Sequence, residues 1–394
     1  MNKKMNKSFT LVELLVVLAL IAILATVLIV VIKPADIFKR GRDSQRTSDL
    51  KNLEKIFDLI LFETQGTFSE LQYASSNVVY ISLPDTSSTC GQWISQLPQL
   101  PSGWSYRCSA TPTNIDGTGW IPIPFNQFSS INLSRLFIDP INRPPYYYAF
   151  VAGGSYALYA QLENPQSQAS KTDNDNYPHL FSVGTNKRLI DQAQGLVGYW
   201  SFDEGTGNIA NDYSGNNNNG TLYNGPQWVD GKVGKALSFD GVDDYVQTPL
   251  SSNILPLTIE VWFKTNVNTG EHSIVDSDVS GRYGQSIILG YMYGDNTLDV
   301  EYHDGWYDSP FVVGVGVWHH AVAIFTTGKV ELYVNGNYIG SLVFTQGFLD
   351  GDNFRIGRHN SGDPQWFNGL IDEVRIYNRA LSDQEIKALY EAIK

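Results

Sequence analysis

A lone carboxylate in the longest apolar run of the chain is the first residue whose chemistry needs an explanation. Glu13 is the single charged residue between Phe9 and Ile32. A carboxylate inside a bilayer costs about 2.5–3.5 kcal/mol, so a functional Glu13 needs a cationic partner within the membrane. The alternative is a capping box with Thr10, in which Glu13 only helps to begin a helix.

A second carboxylate falls within an apolar strand pattern. Leu370, Asp372, Val374 and Ile376 alternate along the last strand-like run, so strand parity predicts that Asp372 points with the apolar face. A buried, unpaired carboxylate costs several kcal/mol and needs a cation, a network of donors or a metal ion. Backbone N–H groups could satisfy Asp372 without a metal, and this alternative stays open.

The two cysteines predict a covalent link. Cys90 and Cys108 lie in one region rich in Gly, Pro and Ser. In an exported protein, such a pair predicts a disulfide whose closed loop stabilises the fold by roughly 3 kcal/mol. Two reduced thiols are the alternative, so the prediction depends on export.

The elements that position these residues begin with a long helix. Residues 9–32 form an almost wholly apolar run of 24 residues that can cross a bilayer, and three lysines in residues 1–8 favour a cytoplasmic N-terminus. Helical spacing then continues on one face with Ile37, Leu50, Leu53, Phe57, Ile60 and Leu61. We predict a helix over residues 9–62, in lipid and then amphipathic, with a kink or break at Pro34.

A change of charge predicts a domain boundary near residue 195. Residues 1–194 hold 15 acidic and 16 basic side chains, whereas residues 195–394 hold 25 and 11. The acidic half argues against nucleic acid as a partner, because phosphates would be repelled. The same acidic half could bind divalent cations.

Short strands and turns dominate residues 195–394. Asn335-Gly336 predicts a two-residue hairpin turn, and Ser382 with Glu385 predicts a capping box that opens a terminal helix. The clearest strand patterns cover residues 258–264, 318–325 and 370–377. Many strands with one terminal helix predict an all-β jelly-roll sandwich.

The string KSFTLVELLVVLALIAILATVLI, from Lys7 to Ile29, resembles the leader of type IV pilins and type II secretion pseudopilins. The resemblance implies that a prepilin peptidase removes leader residues 1–8 between Ser8 and Phe9, and that Phe9 is then methylated. Glu13 would pair with the N-terminal ammonium of a neighbouring subunit. Ser8 departs from the usual Gly. The implied location is the cytoplasmic membrane, crossed once, and then an extracellular filament or the cell surface.

Residues 63–192 would form a pilin-like globular head, so the N-terminal part is expected to be α+β, with a long helix and a small antiparallel sheet. Aromatic runs at 146–151 and 156–162 flank Gly153-Gly154, which is typical of a hairpin. This segment resembles the sheet of major pseudopilins. Asp173 and Asp175 occupy a loop where some pseudopilins bind calcium, although a solvated linker is the preferred interpretation.

Six ordered segments between residues 195 and 392 resemble laminin-G and concanavalin A-like lectin domains, among them GLVGYWSFDEGTG, GKVGKALSFDGVDDYV and FNGLIDEVRIYNRALSDQEI. The resemblance implies a structural Ca²⁺ near Asp203, Asp240 and Asp372, with backbone carbonyls completing the shell. It also implies a carbohydrate or protein ligand. Five aromatic residues in or beside loops could stack on a sugar, or could cover the module's own core: Tyr291, Tyr293, Trp306, Tyr307 and Trp366. Three of these are the candidate ligand contacts: Trp306, Tyr307 and Trp366.

Catalysis is not expected. Glycoside hydrolases of this fold carry their acids on one strand as E-x-D-x-x-E, a string that the sequence lacks. The sequence also lacks a nucleophile motif or a phosphate-binding loop. Two functions remain: a pilin-like or pseudopilin-like subunit that displays a lectin-like adhesion module, or a structural minor pilin whose sandwich packs on partner subunits without binding glycan.

Overall fold

The computed structural model describes residues 11–12, 14–21, 33–64, 73–153, 155–164, 169, 176–177, 179–253, 255–267, 269–277, 286–291, 296–303, 305–343, 352–359 and 365–394. Residues 11–12 and 14–21 are helical. Within the described ranges, no helix is both long and apolar enough to cross a bilayer. Ser8, Phe9, Glu13, Asp173 and Asp175 lie outside the described residues.

The predicted break at Pro34 is confirmed, because a new helix, α1 (Pro34–Glu63), begins there. Lys33 adopts a left-handed conformation with φ 43°, and Pro34 occupies the first turn, where no N–H donor is needed. The predicted face is buried at Leu50, Leu53, Phe57 and Ile60. Ile37 was assigned wrongly to this face. It lies about 160° around the helix from Leu53, and it is 55% exposed.

The head sheet packs on this helix. Its strands are β1 (Val78–Pro84), β2 (Ser105–Ser109), β3 (Tyr148–Ala152), β4 (Tyr156–Gln161) and β5 (Leu180–Gly184). Their spatial order is β2-β1-β3-β4-β5. The predicted hairpin is confirmed as β3–β4. The sheet is not wholly antiparallel, since β1 and β2 run parallel and a long connection joins them.

A buried ion network holds α1 against the head. Arg46 is fully buried, and its guanidinium lies 2.6 Å from Asp139 Oδ2 and 2.8 Å from both Asp43 Oδ1 and Glu163 Oε1. Arg42 donates two further bonds of 2.6 Å to Glu163. These bonds join the helix to the segments before β3 and after β4, so they fix its register along the sheet.

A short helix, α2 (Arg188–Gln194), leads into a sandwich of two eight-stranded sheets. The first sheet contains β6 (Leu196–Trp200), β9 (Gln227–Asp230), β10 (Lys235–Asp240), β12 (Leu257–Thr265), β17 (His319–Thr326), β18 (Lys329–Val334), β19 (Asn337–Val343) and β21 (Asn368–Tyr377). The second contains β7 (Ile209–Ala210), β8 (Gly220–Tyr223), β11 (Tyr245–Ser251), β13 (His272–Asp276), β14 (Ser286–Tyr291), β15 (Asp299–His303), β16 (Gly305–Tyr307) and β20 (Asn353–Ile356).

The order and direction of the strands define the sandwich. The first sheet runs β19-β18-β17-β12-β21-β10-β9 with β6 also on β21, and the second runs β16-β15-β14-β13-β20-β11-β8-β7. All described pairs in both sheets are antiparallel. The inner faces enclose one apolar core. This is the predicted jelly-roll-like arrangement.

Local signals in the sandwich were predicted well. Asn335 and Gly336, with φ 50° and 74°, form the turn between β18 and β19. Ser382 caps α3 (Asp383–Ile393), where Glu385 N donates to Ser382 Oγ and Ser382 N donates to Glu385 Oε2. The turn depends on positive φ at both of its residues, and the capping box satisfies backbone N–H groups through side chains three residues away.

The head and the sandwich share a core. The head sheet buries one face on α1 and turns the other toward the outer face of the first sheet. That junction includes Val79, Ile81, Ala149, Val151, Tyr159, Val322, Ile324, Tyr333, Tyr377, Ile386 and Leu389. The layers therefore follow the order α1, head sheet, first sheet, second sheet, and the outer face of the second sheet lies farthest from α1.

Replacing Arg46 by Met should strongly destabilise the protein. The substitution keeps most of the side chain's length but leaves Asp139 and Asp43 buried without their cation. Loss of one partner from a buried ion network costs about 3–5 kcal/mol. Urea unfolding of the full chain in detergent measures the change. Arg40→Met is the matched control, because Arg40 is exposed on the same helix. Equal free energies of unfolding for the two variants would contradict the structural role of the network.

Candidate functional site

An aromatic patch lies on the outer face of the second sheet. Tyr223 on β8 and Tyr245 on β11 are paired in register, and their rings stack with centroids 4.8 Å apart and 9° between the planes. Trp366 lies 6.1 Å from Tyr245. Tyr223 is 42% exposed, although tyrosines of a sheet interior are normally covered. These three rings and Arg358 are called the aromatic patch below.

Strand alternation explains why these rings point outward. Leu222 and Val246 occupy the neighbouring positions on β8 and β11, and both pack into the sandwich core. Their neighbours Tyr223 and Tyr245 must therefore point to the other face. Arg358 and Trp366 are joined by a backbone bridge beyond the end of β20, which brings Trp366 to the same face.

Arg358 lies between two of the rings. Its guanidinium carbon is 4.8 Å from the centroid of Tyr245 and 4.8 Å from that of Trp366. Cation–π contact of this kind contributes about 0.5–1 kcal/mol at exposed sites and more where water is excluded. It holds the guanidinium in place without using its N–H donors. Arg358 Nε is buried and has no acceptor among the described residues.

A polar row adjoins the patch. Cross-strand register aligns Gln247, Arg355 and Asp276 on β11, β20 and β13. Arg355 donates to Asp352 Oδ2 at 2.8 Å, and His359 Nδ1 lies 3.3 Å from Asp276 Oδ2. Arg355, Asp276 and His359 are buried, whereas Gln247 and Asp352 are partly exposed. Partly exposed polar groups near aromatic rings suit hydroxylated ligands.

The three predicted ligand contacts have different positions. Trp366 belongs to the aromatic patch. Tyr307 pairs with Val300 and packs against the core, with its hydroxyl beside Gly340, so it is not brought to the patch. Trp306 pairs in register with Glu301, and its side chain lies outside the described atoms.

Sequence reasoning missed Tyr223, Tyr245 and Arg358. Each tyrosine neighbours a core residue on its strand, and that alternation was a usable signal for an outward ring. The pairing of β8 with β11 brings the tyrosines together from positions 22 residues apart. No short motif in the sequence specifies that pairing.

Two of the three predicted metal-site carboxylates meet at one turn. Lys232 N and Val233 N donate to Asp372 Oδ2 at 2.8 and 3.0 Å, and Lys235 N donates to Asp203 Oδ1 at 2.7 Å. Gly231 permits this approach, because a Cβ there would lie 2.6 Å from Asp372 Oδ2. The turn 231–235 therefore holds both carboxylates.

The parity argument for Asp372 was wrong, although its burial was right. β21 bulges at Glu373, which has φ 54°, and the register shifts between Glu260 and Trp262 of β12. Ile371 and Val374 both face the core, so the extra residue reverses the alternation. Asp372 lies opposite Trp262 on the outer side of the first sheet, covered by the turn 231–235 and fully buried.

Asp240 lies apart from Asp203 and Asp372. It pairs with Asn368, four residues along β21 from Asp372, and its carboxylate lies within 4.8 Å of those of Asp243 and Asp244. Asp240 Oδ1 accepts from Val242 N at 2.8 Å, which is an ordinary turn contact. These three acids form a candidate cation-binding cluster separate from the pair at turn 231–235.

The environment of Asp372 opposes its ionisation. Burial first, then the charges of Glu373 and Asp203, raise the pKa of Asp372 to about 8, against the two backbone N–H bonds. Asp372 Oδ1 is buried and has no hydrogen-bond partner among the described residues. An orphaned oxygen beside a second carboxylate fits a hard cation such as Ca²⁺, which binds carboxylate and carbonyl oxygens.

The cysteine pair is oxidised. Cys90, in the connection between β1 and β2, forms a disulfide with Cys108 on β2, with 5.2 Å between their Cα atoms. Both residues belong to the core at the junction with the sandwich. The disulfide therefore holds this connection against the edge of the head sheet.

Comparison with protein-family models identifies both ends of the chain. The model for the prokaryotic N-terminal methylation motif matches residues 3–29, and the model for the concanavalin A-like lectin/glucanases superfamily matches residues 240–387. The chain carries a prepilin-type N-terminus and a lectin-like domain. The cluster at Asp240 and three residues of the aromatic patch, Tyr245, Arg358 and Trp366, lie within residues 240–387, whereas Tyr223 precedes them.

Three solved structures are similar to a part of this chain. Domain 4 of AbnA, an extracellular arabinanase from Geobacillus stearothermophilus, shares 27% identity with a TM-score of 0.42, covering 50% of this chain and 98% of that one. The binding domain of Paraclostridial Mosquitocidal Protein 1 shares 18%, with a TM-score of 0.41 and coverages of 50% and 52%. Trypanosoma rangeli sialidase in complex with sialic acid shares 14%, with a TM-score of 0.42, covering 63% of this chain and 48% of that one.

Asp372 should make the protein less stable as pH rises. Its folded-state pKa is about 8, whereas an unfolded Asp titrates near about 4. Between these two pKa values Asp372 keeps its proton in the folded state and loses it in the unfolded state. The contribution of Asp372 to the free energy of unfolding is therefore complete below about pH 4 and is lost as pH rises through about 8. Asp372→Asn removes this titration. The decrease in the free energy of unfolding with rising pH should then be smaller by about 1.4 kcal/mol per unit of pKa shift.

Urea unfolding in a chelating buffer between about pH 5 and about pH 8 measures the effect. Burial also raises the pKa of Asp191 to about 8, so the wild-type protein contains both contributions. Asp191→Asn is therefore the matched control, and the difference between the two variants isolates Asp372. An Asp372→Asn protein with the wild-type slope would contradict the assignment.

Proposed function

We propose that this chain is a pilin-like or pseudopilin-like subunit that displays a glycan-binding sandwich at the end remote from its anchoring helix. The observation that carries the proposal is the aromatic patch on the outer face of the second sheet, the layer farthest from α1. Flat, partly exposed rings beside polar side chains suit the apolar faces and hydroxyl groups of sugars. The methylation motif and the lectin-family match support the two halves of the proposal.

The N-terminal half of the proposal concerns membrane anchoring and assembly. A prepilin peptidase would cut between Ser8 and Phe9, and Phe9 would become the methylated first residue. Residues 9–32 would cross the cytoplasmic membrane once. Glu13 would then pair with the N-terminal ammonium of a neighbouring subunit as the protein enters a filament at the cell surface.

The proposed role is binding rather than catalysis, and calcium would serve it structurally. Ca²⁺ would be held by Asp372 Oδ1 and Asp203, the carboxylates that meet at turn 231–235. A bound cation would keep Asp372 ionised and fasten the turn to β21. Ca²⁺ added to the unfolding series described for Asp372 should raise the wild-type free energy of unfolding by mass action and should do less for Asp372→Asn. Equal effects on both proteins would contradict this site.

The aromatic patch should carry glycan affinity. Trp366→Ala removes a ring of the patch, and Tyr245→Ala removes the ring that contacts both Tyr223 and Arg358. Each should lower affinity for a bound glycan by about tenfold or more, equivalent to about 1.4 kcal/mol. A glycan array with the full chain in detergent, followed by titration calorimetry, measures this. Tyr338→Ala is the matched control, because Tyr338 is 51% exposed on the edge strand β19 of the other sheet.

Two outcomes of the array decide between the functions. Binding that is lost with the patch variants but kept in Tyr338→Ala supports an adhesive subunit. Absence of binding to every sugar, with and without Ca²⁺, would contradict it and favour a structural minor subunit whose sandwich packs on partners.

Glu13→Ala should separate membrane insertion from assembly. Without its carboxylate the segment is more apolar, so insertion should be retained, while incorporation into filaments should fall because the neighbouring ammonium loses its partner. Membrane fractionation and quantification of sheared filaments measure the two steps. Glu54→Ala, a substitution of an acid on α1 outside the membrane segment, controls for loss of charge. Normal incorporation of Glu13→Ala would contradict the ion pair, and mass spectrometry that finds Met1 retained would contradict the cut.

A further inference from the structure

Arg358 differs from the other described arginines of the sandwich. Arg355, Arg375 and Arg379 each form an ion pair with a carboxylate, at 2.8, 2.5 and 2.6 Å. Arg358 has no carboxylate partner among the described residues, although the sandwich half of the chain holds 25 acidic side chains. A guanidinium without a carboxylate partner among the described residues of so acidic a domain is a candidate binding group for an anion from outside the chain.

Among the described residues Arg358 contacts aromatic rings, and because its Nε is buried, the donors it offers to a ligand are those of its two terminal nitrogens. A guanidinium carries five N–H donors in a planar fork that matches a carboxylate or sulfate in two parallel bonds. Its guanidinium carbon lies over the rings of Tyr245 and Trp366, 4.8 Å from each centroid, and ring faces offer no oxygen or nitrogen acceptor. The two rings restrict the side chain, so less side-chain entropy is lost when an anion binds.

The acidic surroundings do not prevent anion binding at this point. Exposed charges are screened beyond about 8 Å at physiological ionic strength, so the net charge of the domain acts weakly at the patch. The acidic cluster at Asp240 directs an oxygen of Asp240 and an oxygen of Asp244 to backbone N–H groups. A general negative field with a local cation favours a ligand that places its anion at one defined position.

We propose that the aromatic patch binds an acidic sugar, with Arg358 holding its carboxylate or sulfate group and the Tyr223–Tyr245 stack contacting its ring. This inference rests on the proposed glycan-binding function and adds the chemical class of the ligand. Neutral sugars would gain the stacking contact alone. Acidic sugars would add a two-bond, charge-assisted contact in a partly dried site.

The test compares ligands that differ only in charge. Titration calorimetry of the full chain in detergent would use oligogalacturonate and its methyl ester, which keeps the ring and removes the charge. A sulfated galactan oligosaccharide and its desulfated form identify which anion is preferred. We expect the charged member of at least one pair to bind tenfold or more tightly, with a preference that weakens as salt is added.

Substitution then assigns the preference to one residue. Arg358→Gln should reduce the affinity for the acid to that for the ester, and Arg358→Lys should retain part of it. Lys329→Gln removes a positive charge from the same domain but from a strand of the other sheet, and should leave the preference unchanged. The ligand comparison on the unmodified protein stays informative if Arg358→Gln fails to fold.

The outcomes separate this inference from the proposed function. Equal affinity for both members of each pair would overturn the inference and leave glycan binding intact. A preference for acids that survives in a folded Arg358→Gln protein would also overturn it, because the anion would then bind elsewhere. No binding to any sugar would overturn both.

Discussion

The first sheet of the sandwich is apolar on both faces, and the rest of the architecture depends on covering both. On β17, Ala321 and Ala323 face the sandwich core, while Val322 and Ile324 face the head. Burial of each large aliphatic side chain contributes about 1.5–3 kcal/mol, and an uncovered face would be a large exposed apolar patch. The sandwich is therefore not a tethered module. It requires the head sheet and α3 on one side and the second sheet on the other.

Charged groups buried at the same junction fix how the layers fit. Glu260 is fully buried, with His320 Nε2 at 3.2 Å, Tyr377 Oη at 3.1 Å and Arg375 Nη1 at 3.5 Å. Burial alone would raise the pKa of Glu260, but the charge of Arg375 and the bonds from its partners lower it. Apolar surfaces tolerate sliding, whereas an ionised carboxylate with directional partners does not. The network therefore gives the junction one position, and Arg375 extends it to Glu373 at 2.5 Å.

Features set by neighbouring residues could be predicted from the sequence, and features set by distant pairing could not. The Asn335-Gly336 turn needs positive φ at two positions, and those two residue types adopt it at low cost. Asp372 shows the limit, because the bulge at Glu373 arises from the packing of β21 against its neighbours and reverses the strand parity on which the prediction depended. The separation of Asp240 from Asp372 is a matter of register across the sheet. The patch around Tyr245 likewise exists only because β8 pairs with β11.

The chemistry of the outer face of the second sheet distinguishes a face that binds a sugar from one that a partner subunit covers. An interface that is permanently covered by a partner subunit is depleted of charged groups at its centre and is largely apolar. The outer face of the second sheet instead carries Arg355 paired with Asp352, Asp276 beside His359, and Arg358, which has no carboxylate partner within the described part of the chain. Asp276, Arg355 and His359 are already buried, so a partner protein would have to desolvate the two partly exposed groups, Asp352 and Arg358. A sugar keeps much of the face wet and replaces lost water with its own hydroxyl groups. Because this face lies farthest from α1 in the order of layers, contacts made through α1 would leave it uncovered, and assembly and ligand binding would use opposite sides of the molecule.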